Sequence, residues 1–304
     1  MKLVFLGTPE FAVPTLERIV AGGHQVIAVF TQPDRPKGRG QKNAMPPVKE
    51  CALRLGVPVH QPEQVRRPEF VEELRAMAPD AMVVVGYGQI IPQAILDIPP
   101  HGIINVHASL LPKYRGAAPI QWAIARGETR TGVTTMRINA GLDTGDMLLK
   151  WETEIGDEET AVELGARLAV AGAELLDQTL ARIESIVPEP QDNGQASYAP
   201  VLKKEDGHVD WSKPAREILN RMRGLTPWPG CFGLLRSTRL HVWTARLSSM
   251  ELRPGALRAE HRRLYAGCGE GSIELLEVQL EGKKRMNAAS FLNGFSIEAG
   301  EALA

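Results

Sequence analysis

The feature that most constrains the fold of this chain is the alternation of short apolar runs with helical patterns over residues 2–107. The run DAMVVV lacks polar alternation, which indicates a strand buried on both faces. The strand-like runs are Lys2–Leu6, Gln25–Thr31, Val57–His60, Asp80–Val85 and Ile103–His107. This alternation predicts an α/β fold, with a doubly wound, Rossmann-like, mostly parallel sheet whose ligand site lies at the carboxyl ends of the strands.

The rest of the chain predicts a second, smaller domain. Two further strands, 132–138 and 147–155, and a long amphipathic helix, 158–186, complete the first part. Residues 187–204 are rich in Pro, Gly, Gln and Asn, as linkers are. The short apolar runs GCFGLL, LHVWTARL and SIELLEVQL then predict a small OB-like β-barrel. We therefore expect a catalytic domain over 1–186, a linker over 187–207 and a C-terminal barrel over 208–304.

The segment NVHASLLPKYRGAAP, residues 105–119, carries the most chemical information. Asn105 and His107 are two residues apart on a predicted strand, so their side chains project from the same face. A carboxamide and an imidazole are costly to place at the end of a buried strand. Asp143, on the turn GLDTGD, is a candidate carboxylate partner for the imidazole. The three residues together outline a proton-handling site.

Each of these residues also has a structural interpretation. His107 alone is as consistent with a hydrogen-bonded structural histidine, Asn105 with a strand-end cap, and Asp143 with a turn stabiliser. Metal binding is disfavoured because no second histidine lies at ligand spacing and GLDTGD lacks the layout of a calcium loop. The turn after the first strand has one glycine where a dinucleotide site needs GxGxxG, which argues against an NAD site. No GxSxG elbow occurs, which argues against nucleophilic catalysis.

Composition and charge narrow the class of protein. No apolar run approaches the ~20 residues of a membrane helix, and the first residues lack the layout of a signal peptide. Three scattered cysteines without a CxxC pair argue against a disulfide framework or a zinc site. We therefore expect a cytoplasmic protein with no membrane partner.

The net charge of −1 conceals an asymmetry between the two parts of the chain. Residues 1–200 hold 19 Lys and Arg against 24 Asp and Glu, whereas residues 201–304 hold 16 against 12. A basic C-terminal third suggests a polyanionic partner. The loop DRPKGRGQK, residues 34–42, adds Arg35, Lys37, Arg39 and Lys42 near the predicted ligand edge. It is either a solvated loop or a clamp for a phosphate backbone.

Taken together, these segments resemble the methionyl-tRNA formyltransferases, a branch of the 10-formyltetrahydrofolate-dependent formyltransferases. The resemblance runs nearly end to end, through FLGTPEFAVPTL, FTQPDRPKGRGQK, VVVGYGQIIP, INVHASLLPKYRGAAPIQWAI, GVTTMRINAGLDTGDML, HVDW and TPWPG. NVHxSLLP with a downstream Asp marks the wider family, which includes enzymes that act on sugar nucleotides. The basic loop and the tail after HVDW favour the tRNA branch, and a sugar-nucleotide amine remains the alternative acceptor.

The resemblance implies a metal-independent transfer of a formyl group from 10-formyltetrahydrofolate to the α-amino group of initiator methionyl-tRNA, in translation initiation. It implies that Asn105 and His107 stabilise an oxyanion and that Asp143 assists His107 and the proton transfer. The implied folate-binding residues are Ser109, Leu110, Leu111, Pro112, Gly86, Tyr87, Gly88 and Ile91. The implied tRNA contacts are Arg35, Lys37, Arg39 and Lys42, together with the C-terminal barrel. The family resemblance also favours a monomer.

Overall fold

The computed structural model of this chain describes residues 1–37 and 42–304, and the side chains of Lys37 and Lys42 lie outside that description. The helices are Val13–Ala21 (α1), Pro47–Arg54 (α2), Pro68–Met77 (α3), Gln93–Leu96 (α4), Pro119–Ala125 (α5), Ala161–Ala181 (α6), Ala215–Leu225 (α7) and Ala288–Gly294 (α8). Short 3-10 turns lie at Glu10–Ala12, Asn193–Gln195 and Lys204–Gly207.

The strands follow the order that the sequence predicts, with additional short ones. They are Lys2–Gly7 (β1), Gln25–Phe30 (β2), Arg35–Lys37 (β3), Lys42–Ala44 (β4), Val59–His60 (β5), Ala81–Val85 (β6), Ile103–His107 (β7), Arg115–Gly116 (β8), Arg130–Arg137 (β9), Met147–Glu154 (β10), Tyr198–Ala199 (β11), Cys231–Leu235 (β12), Thr238–Ser248 (β13), Leu257–Glu260 (β14), Arg263–Gly267 (β15), Ser272–Leu280 (β16) and Met286–Asn287 (β17).

The first of two compact units consists of Met1–Pro119, Arg130–Glu154 and Gly165–Ala199. Its main sheet has the strand order β10-β9-β7-β6-β1-β2-β5. The neighbouring strands β5, β2, β1, β6 and β7 pair in parallel. Strand β9 pairs antiparallel with β7, and β10 pairs antiparallel with β9. The predicted mostly parallel, Rossmann-like sheet is therefore confirmed.

Burial explains why these residues form a central sheet. Every residue of β6 is buried, as the unbroken run DAMVVV predicts, and four consecutive residues of β1, 3–6, have no exposed surface. Helix α1 carries Pro14 in its first turn, buries Leu16 and Ile19, and ends before Gly22. Each fully buried Leu or Ile contributes about 1.5–3 kcal/mol relative to an exposed one. The apolar pattern therefore determines which faces pack against the sheet.

The second unit consists of Ile120–Thr129, Ile155–Leu164 and Pro200–Ala304. Its antiparallel sheet has the order β12-β13-β16-β15-β14, with β17 beside β16. The last residues connect the two edges: Leu303 N–H donates to Gly255 O at 2.8 Å, and Leu234 N–H donates to Ala304 O at 2.8 Å. Because both edge strands bond to the same tail, the sheet is barrel-like, as predicted.

Two segments differ in structure from their sequence-based interpretation. The predicted loop over 34–42 contains β3 and runs into β4, and the two strands form an antiparallel pair. The predicted linker is ordered against the first unit as far as residue 199, because β11 pairs with β8 and Glu189 pairs with Met147. The boundaries at 187 and 207 remain a prediction. In the described part of the chain, no helix has the length and apolarity needed to span a bilayer.

Candidate functional site

Asn105 and His107 lie at the carboxyl end of β7, on the strand face that the sequence predicts. Asn105 is 8 % exposed and His107 is 5 % exposed. Asn105 pairs with Val84 of β6, and Val85 pairs with Gly7 of β1. The carboxyl ends of the three strands are therefore neighbours in the sheet, which is where parallel sheets bind ligands.

The hydrogen bonding of His107 determines which ring nitrogen faces the site. Nε2 lies 2.9 Å from the carbonyl oxygen of Tyr114, and because a carbonyl only accepts, Nε2 carries a proton. Nδ1 lies 3.8 Å from Oδ2 of Asp143. That distance is too long for a hydrogen bond but within the range of an ion pair. Nδ1 is therefore the nitrogen of His107 that remains for a substrate.

Asp143 is held in a defined orientation by the backbone around it. Its own φ is +50°, in the left-handed region that Asp tolerates better than most residues. Oδ2 accepts a hydrogen bond of 2.8 Å from the amide of Gly116, which follows Arg115 in the loop after β7. One carboxylate oxygen thus fixes that loop and faces His107, so the three predicted catalytic residues are brought together.

The predicted folate segment Ser109–Pro112 is anchored by a buried hydroxyl that the sequence did not indicate. Thr134 of β9 donates to Ser109 O at 2.7 Å and accepts from the amide of Leu111 at 3.1 Å. Ser109 Oγ in turn donates to Lys113 O at 2.6 Å. Leu111 itself is 2 % exposed and packs in a small apolar cluster, whereas Leu110 is only partly buried. Leu110 and Pro112, which are both partly buried, are therefore the accessible side chains of this segment.

The predicted pterin loop, Gly86–Ile91, follows β6 and contacts the turn after β1. Gly86 and Gly88 have φ values of +58° and +83°. Tyr87 O accepts hydrogen bonds from Thr8 Oγ1 at 3.0 Å and Gln32 Nε2 at 3.1 Å. The turns after β1 and β6 therefore meet at the carboxyl edge of the sheet. The carbonyl of Tyr87 already has two protein partners.

The side chains of Tyr87 and Ile91 belong to the core of the first unit, where they are 1 % and 8 % exposed. Burial raises the pKa of Tyr87 far above its usual range. These two side chains anchor the loop by packing into the core. The contact of the loop with folate remains a prediction.

The basic loop is described only at its first cation. Arg35 is exposed and donates to Gln32 Oε1 at 3.5 Å, and Nε2 of the same glutamine donates to Tyr87 O. Arg39 and the side chains of Lys37 and Lys42 lie outside the described residues. Contact of these cations with tRNA stays a prediction.

The cysteines of the second unit and the metal-ligating residue types bear on thiol and metal chemistry. Burial raises the pKa of Cys231 to about 12 and of Cys268 to about 11, which keeps both as thiols at neutral pH. Within residues 1–37 and 42–304, no three His, Cys, Asp or Glu side chains form a group suited to a metal ion.

Several polar residues at the site were missed by the sequence interpretation. Arg115 is 2 % exposed, and its guanidinium donates to Gln191 Oε1 at 2.9 Å and to Asn193 Oδ1 at 3.0 Å. The amide of Tyr114 donates to Ser197 Oγ at 2.9 Å. The partners lie in the predicted linker, about eighty residues away along the chain, so no local pattern signals the contacts.

Comparison with known proteins identifies the family. A family model described as formyl transferase matches residues 1–180, and one described as formyl transferase, C-terminal domain, matches residues 201–296. Among solved structures, the N-formyltransferase of Helicobacter canadensis, in complex with folinic acid and dTDP-3-aminofucose, superposes with a TM-score of 0.67. That match covers 92 % of this chain and 99 % of the other at 20 % identity, which supports the fold.

Curated relatives are far more similar in sequence. The methionyl-tRNA formyltransferase of Solibacter usitatus is 62 % identical over 307 residues, covering 100 % of this chain and 98 % of its own. That of Koribacter versatilis is 57 % identical with the same coverage. With two family models over most of its length and full-length relatives above half identity, this chain belongs to the methionyl-tRNA formyltransferase family.

Proposed function

We propose that this chain transfers the formyl group of 10-formyltetrahydrofolate to the α-amino group of initiator methionyl-tRNA. The observation that carries the proposal is the grouping of Asn105 and His107 at one strand end, with the Asp143 carboxylate 3.8 Å from the imidazole. The naming of the full-length relatives supports methionyl-tRNA as the acceptor.

The site is suited to the negative charge that develops during acyl transfer. When the neutral α-amine attacks the formyl carbon, the formyl oxygen becomes an oxyanion. The carboxamide of Asn105 donates to it. His107 donates through Nδ1, because Nε2 is bound to Tyr114 O. Donation through Nδ1 requires a proton on that nitrogen as well, and the Asp143 carboxylate lies 3.8 Å from it. Loss of one such donor costs about 10²–10³ in rate.

The proton of the attacking amine must reach the leaving nitrogen. A free α-amine has a pKa of about 8, so a substantial minority of it is already neutral at physiological pH. As the new C–N bond forms, the amine releases one proton, and as the bond from the formyl carbon to N10 breaks, N10 takes one up. Asp143 is assigned the relay between them, since its carboxylate is exposed enough to meet substrate and is held by Gly116 N–H.

The donor and the RNA are assigned to different surfaces. We assign the folate to the backbone of Ser109–Pro112 and Gly86–Ile91, which follow the neighbouring strands β7 and β6. For the RNA, the barrel offers a row of neighbouring rings, Phe232, His241 and Trp243, in which His241 and Trp243 stack and Phe232 is tilted against His241. Arg239 lies 4.7 Å from the ring centroid of Phe232. Aromatic rings with arginines suit a polyanionic partner with bases.

The experiment offers the purified protein three acceptors with 10-formyltetrahydrofolate: initiator methionyl-tRNA, elongator methionyl-tRNA and a dTDP-amino sugar. We expect transfer to the initiator tRNA. Asp143→Asn should lower kcat by about 10²–10³, whereas Asp146→Asn, an exposed carboxylate on the same turn, should leave kcat within twofold. Faster transfer to the sugar would favour the alternative acceptor, and an unchanged Asp143→Asn would refute the catalytic role.

A further inference from the structure

We propose that Gln191 is a positioning residue for formyl transfer, which acts by fixing the backbone that carries Asp143. The proposal rests on the catalytic role of Asp143 given above. Gln191 lies beyond the formyl transferase match, which ends at residue 180, and in a segment whose composition resembles a linker. Its side chain is nevertheless joined to both loops of the site.

The carboxamide of Gln191 makes three hydrogen bonds. Nε2 donates to Asp143 O at 2.9 Å and to Gly145 O at 2.7 Å. Oε1 accepts from Arg115 Nε at 2.9 Å. Because two carbonyls face one end of the amide and a guanidinium faces the other, only one orientation of the amide satisfies all three partners. The amide is therefore a directional bridge between the turn of Asp143 and the loop after β7.

The backbone conformation of the Asp143 turn is one that hydrogen bonds from Gln191 help to maintain. Asp143 has a φ of +50°, a conformation that costs free energy for a residue with a side chain. An added Cβ on Gly145 would lie 1.7 Å from Arg137 O, so the turn is closely packed against β9. The two hydrogen bonds from Gln191 to carbonyls of this turn restrict the backbone conformations that the turn can adopt. The carboxylate then lies where it meets Gly116 N–H and His107.

Arg115 explains why the bridge is stable. Its guanidinium is buried, and a buried charge must be hydrogen-bonded. It donates to Gln191 Oε1 and to Asn193 Oδ1, while the backbone pair between Glu189 and Met147 sets the position of the segment. Arg115 therefore orients the amide of Gln191, and that amide orients Asp143.

Two substitutions separate positioning from space-filling. Gln191→Glu keeps the size and an acceptor for Arg115 but loses both donors and turns a carboxylate oxygen toward two carbonyls. Gln191→Met keeps similar volume without polar atoms. We expect kcat to fall about 10- to 100-fold in both, because a displacement near 1 Å at the reacting groups costs about that much. KM for methionyl-tRNA should change less than threefold. Gln195→Met, whose amide bonds only to Asp192, is the matched control.

A double-mutant cycle tests whether Gln191 acts through Asp143. In an Asp143→Asn background, where the relay is already lost, Gln191→Met should lower kcat less than threefold further. An equal loss in both backgrounds, or Gln191→Glu with wild-type kcat, would overturn the inference. If Asp143→Asn alone left kcat unchanged, the catalytic role of Asp143 would fail instead, and absence of formyl transfer to initiator methionyl-tRNA by the wild-type protein would refute the proposed function itself. Melting temperatures of all variants distinguish slow turnover from unfolding.

Discussion

Replacing Thr134 by Val tests whether one buried hydroxyl holds the segment that follows the catalytic strand. Thr134 is fully buried, and Val has nearly the same shape, so the substitution leaves no cavity. It removes the donor to Ser109 O and the acceptor of Leu111 N–H. Each backbone group that remains buried without a partner costs about 1–3 kcal/mol, so with two such groups opening of this segment should become easier by about 2–6 kcal/mol.

Thr134→Ser is the informative comparison, because it keeps the hydroxyl and loses one methyl group. Removal of a buried methyl costs about 1 kcal/mol. Hydrogen bonding therefore predicts that the Val variant is the more disturbed of the two, whereas apolar burial alone predicts the reverse order. Thr131→Val controls for the strand: Thr131 is 3 % exposed on β9 and is not bonded to residues 109–112.

Hydrogen exchange followed by mass spectrometry measures the effect at the segment itself. A change of about 2–6 kcal/mol corresponds to about 30- to 20,000-fold faster exchange, since 1.4 kcal/mol is tenfold. We expect this acceleration in peptides covering residues 108–113 for Thr134→Val, a smaller one for Thr134→Ser and none for Thr131→Val. Faster exchange in the Ser variant than in the Val variant would refute the reasoning.

Three further predictions concern the barrel and the RNA contact. Burial and the charge of Arg239 lower the pKa of His241, so the stability that its neutral form contributes is present above pH 6.5 and is lost as pH falls through its folded pKa. The melting temperature of His241→Phe should therefore fall less from pH 7.5 to pH 5.0 than that of the wild type, and an equal fall would contradict this. Leu303→Ala, at a 4 % exposed residue of the tail that connects the barrel edges, should destabilise the barrel by about 2–5 kcal/mol in urea unfolding, and an unchanged midpoint would show that the tail is dispensable. Replacing Arg39 and Lys42 by Gln should make the fall of log affinity for methionyl-tRNA with log salt shallower, by about one unit of slope per cation, without changing KM for the folate. An unaltered slope would show that the loop does not contact the RNA.

The sequence determined the features that depend on neighbouring residues. The unbroken apolar run of β6 predicted its burial, and Pro14 with Gly22 located helix α1. The spacing of Asn105 and His107 predicted that both side chains lie on one face of β7, because side chains alternate along a strand. Asp143 was a candidate partner of His107 from the residues alone, and the 3.8 Å distance between them supports that pairing. The resemblance then supplied the chemistry.

Only the tertiary structure decided how those residues are held. Gln191 and Asn193 look like linker residues in sequence, yet they are partners of a buried arginine and of the Asp143 turn. Thr134 resembles any β-strand threonine until its hydroxyl is found between two backbone groups of residues 109–111. A hydrogen bond depends on distance and angle between atoms that the fold brings together, and neither is encoded in local periodicity. The chemical groups of the site are therefore legible in the sequence, whereas their orientation is a property of the folded chain.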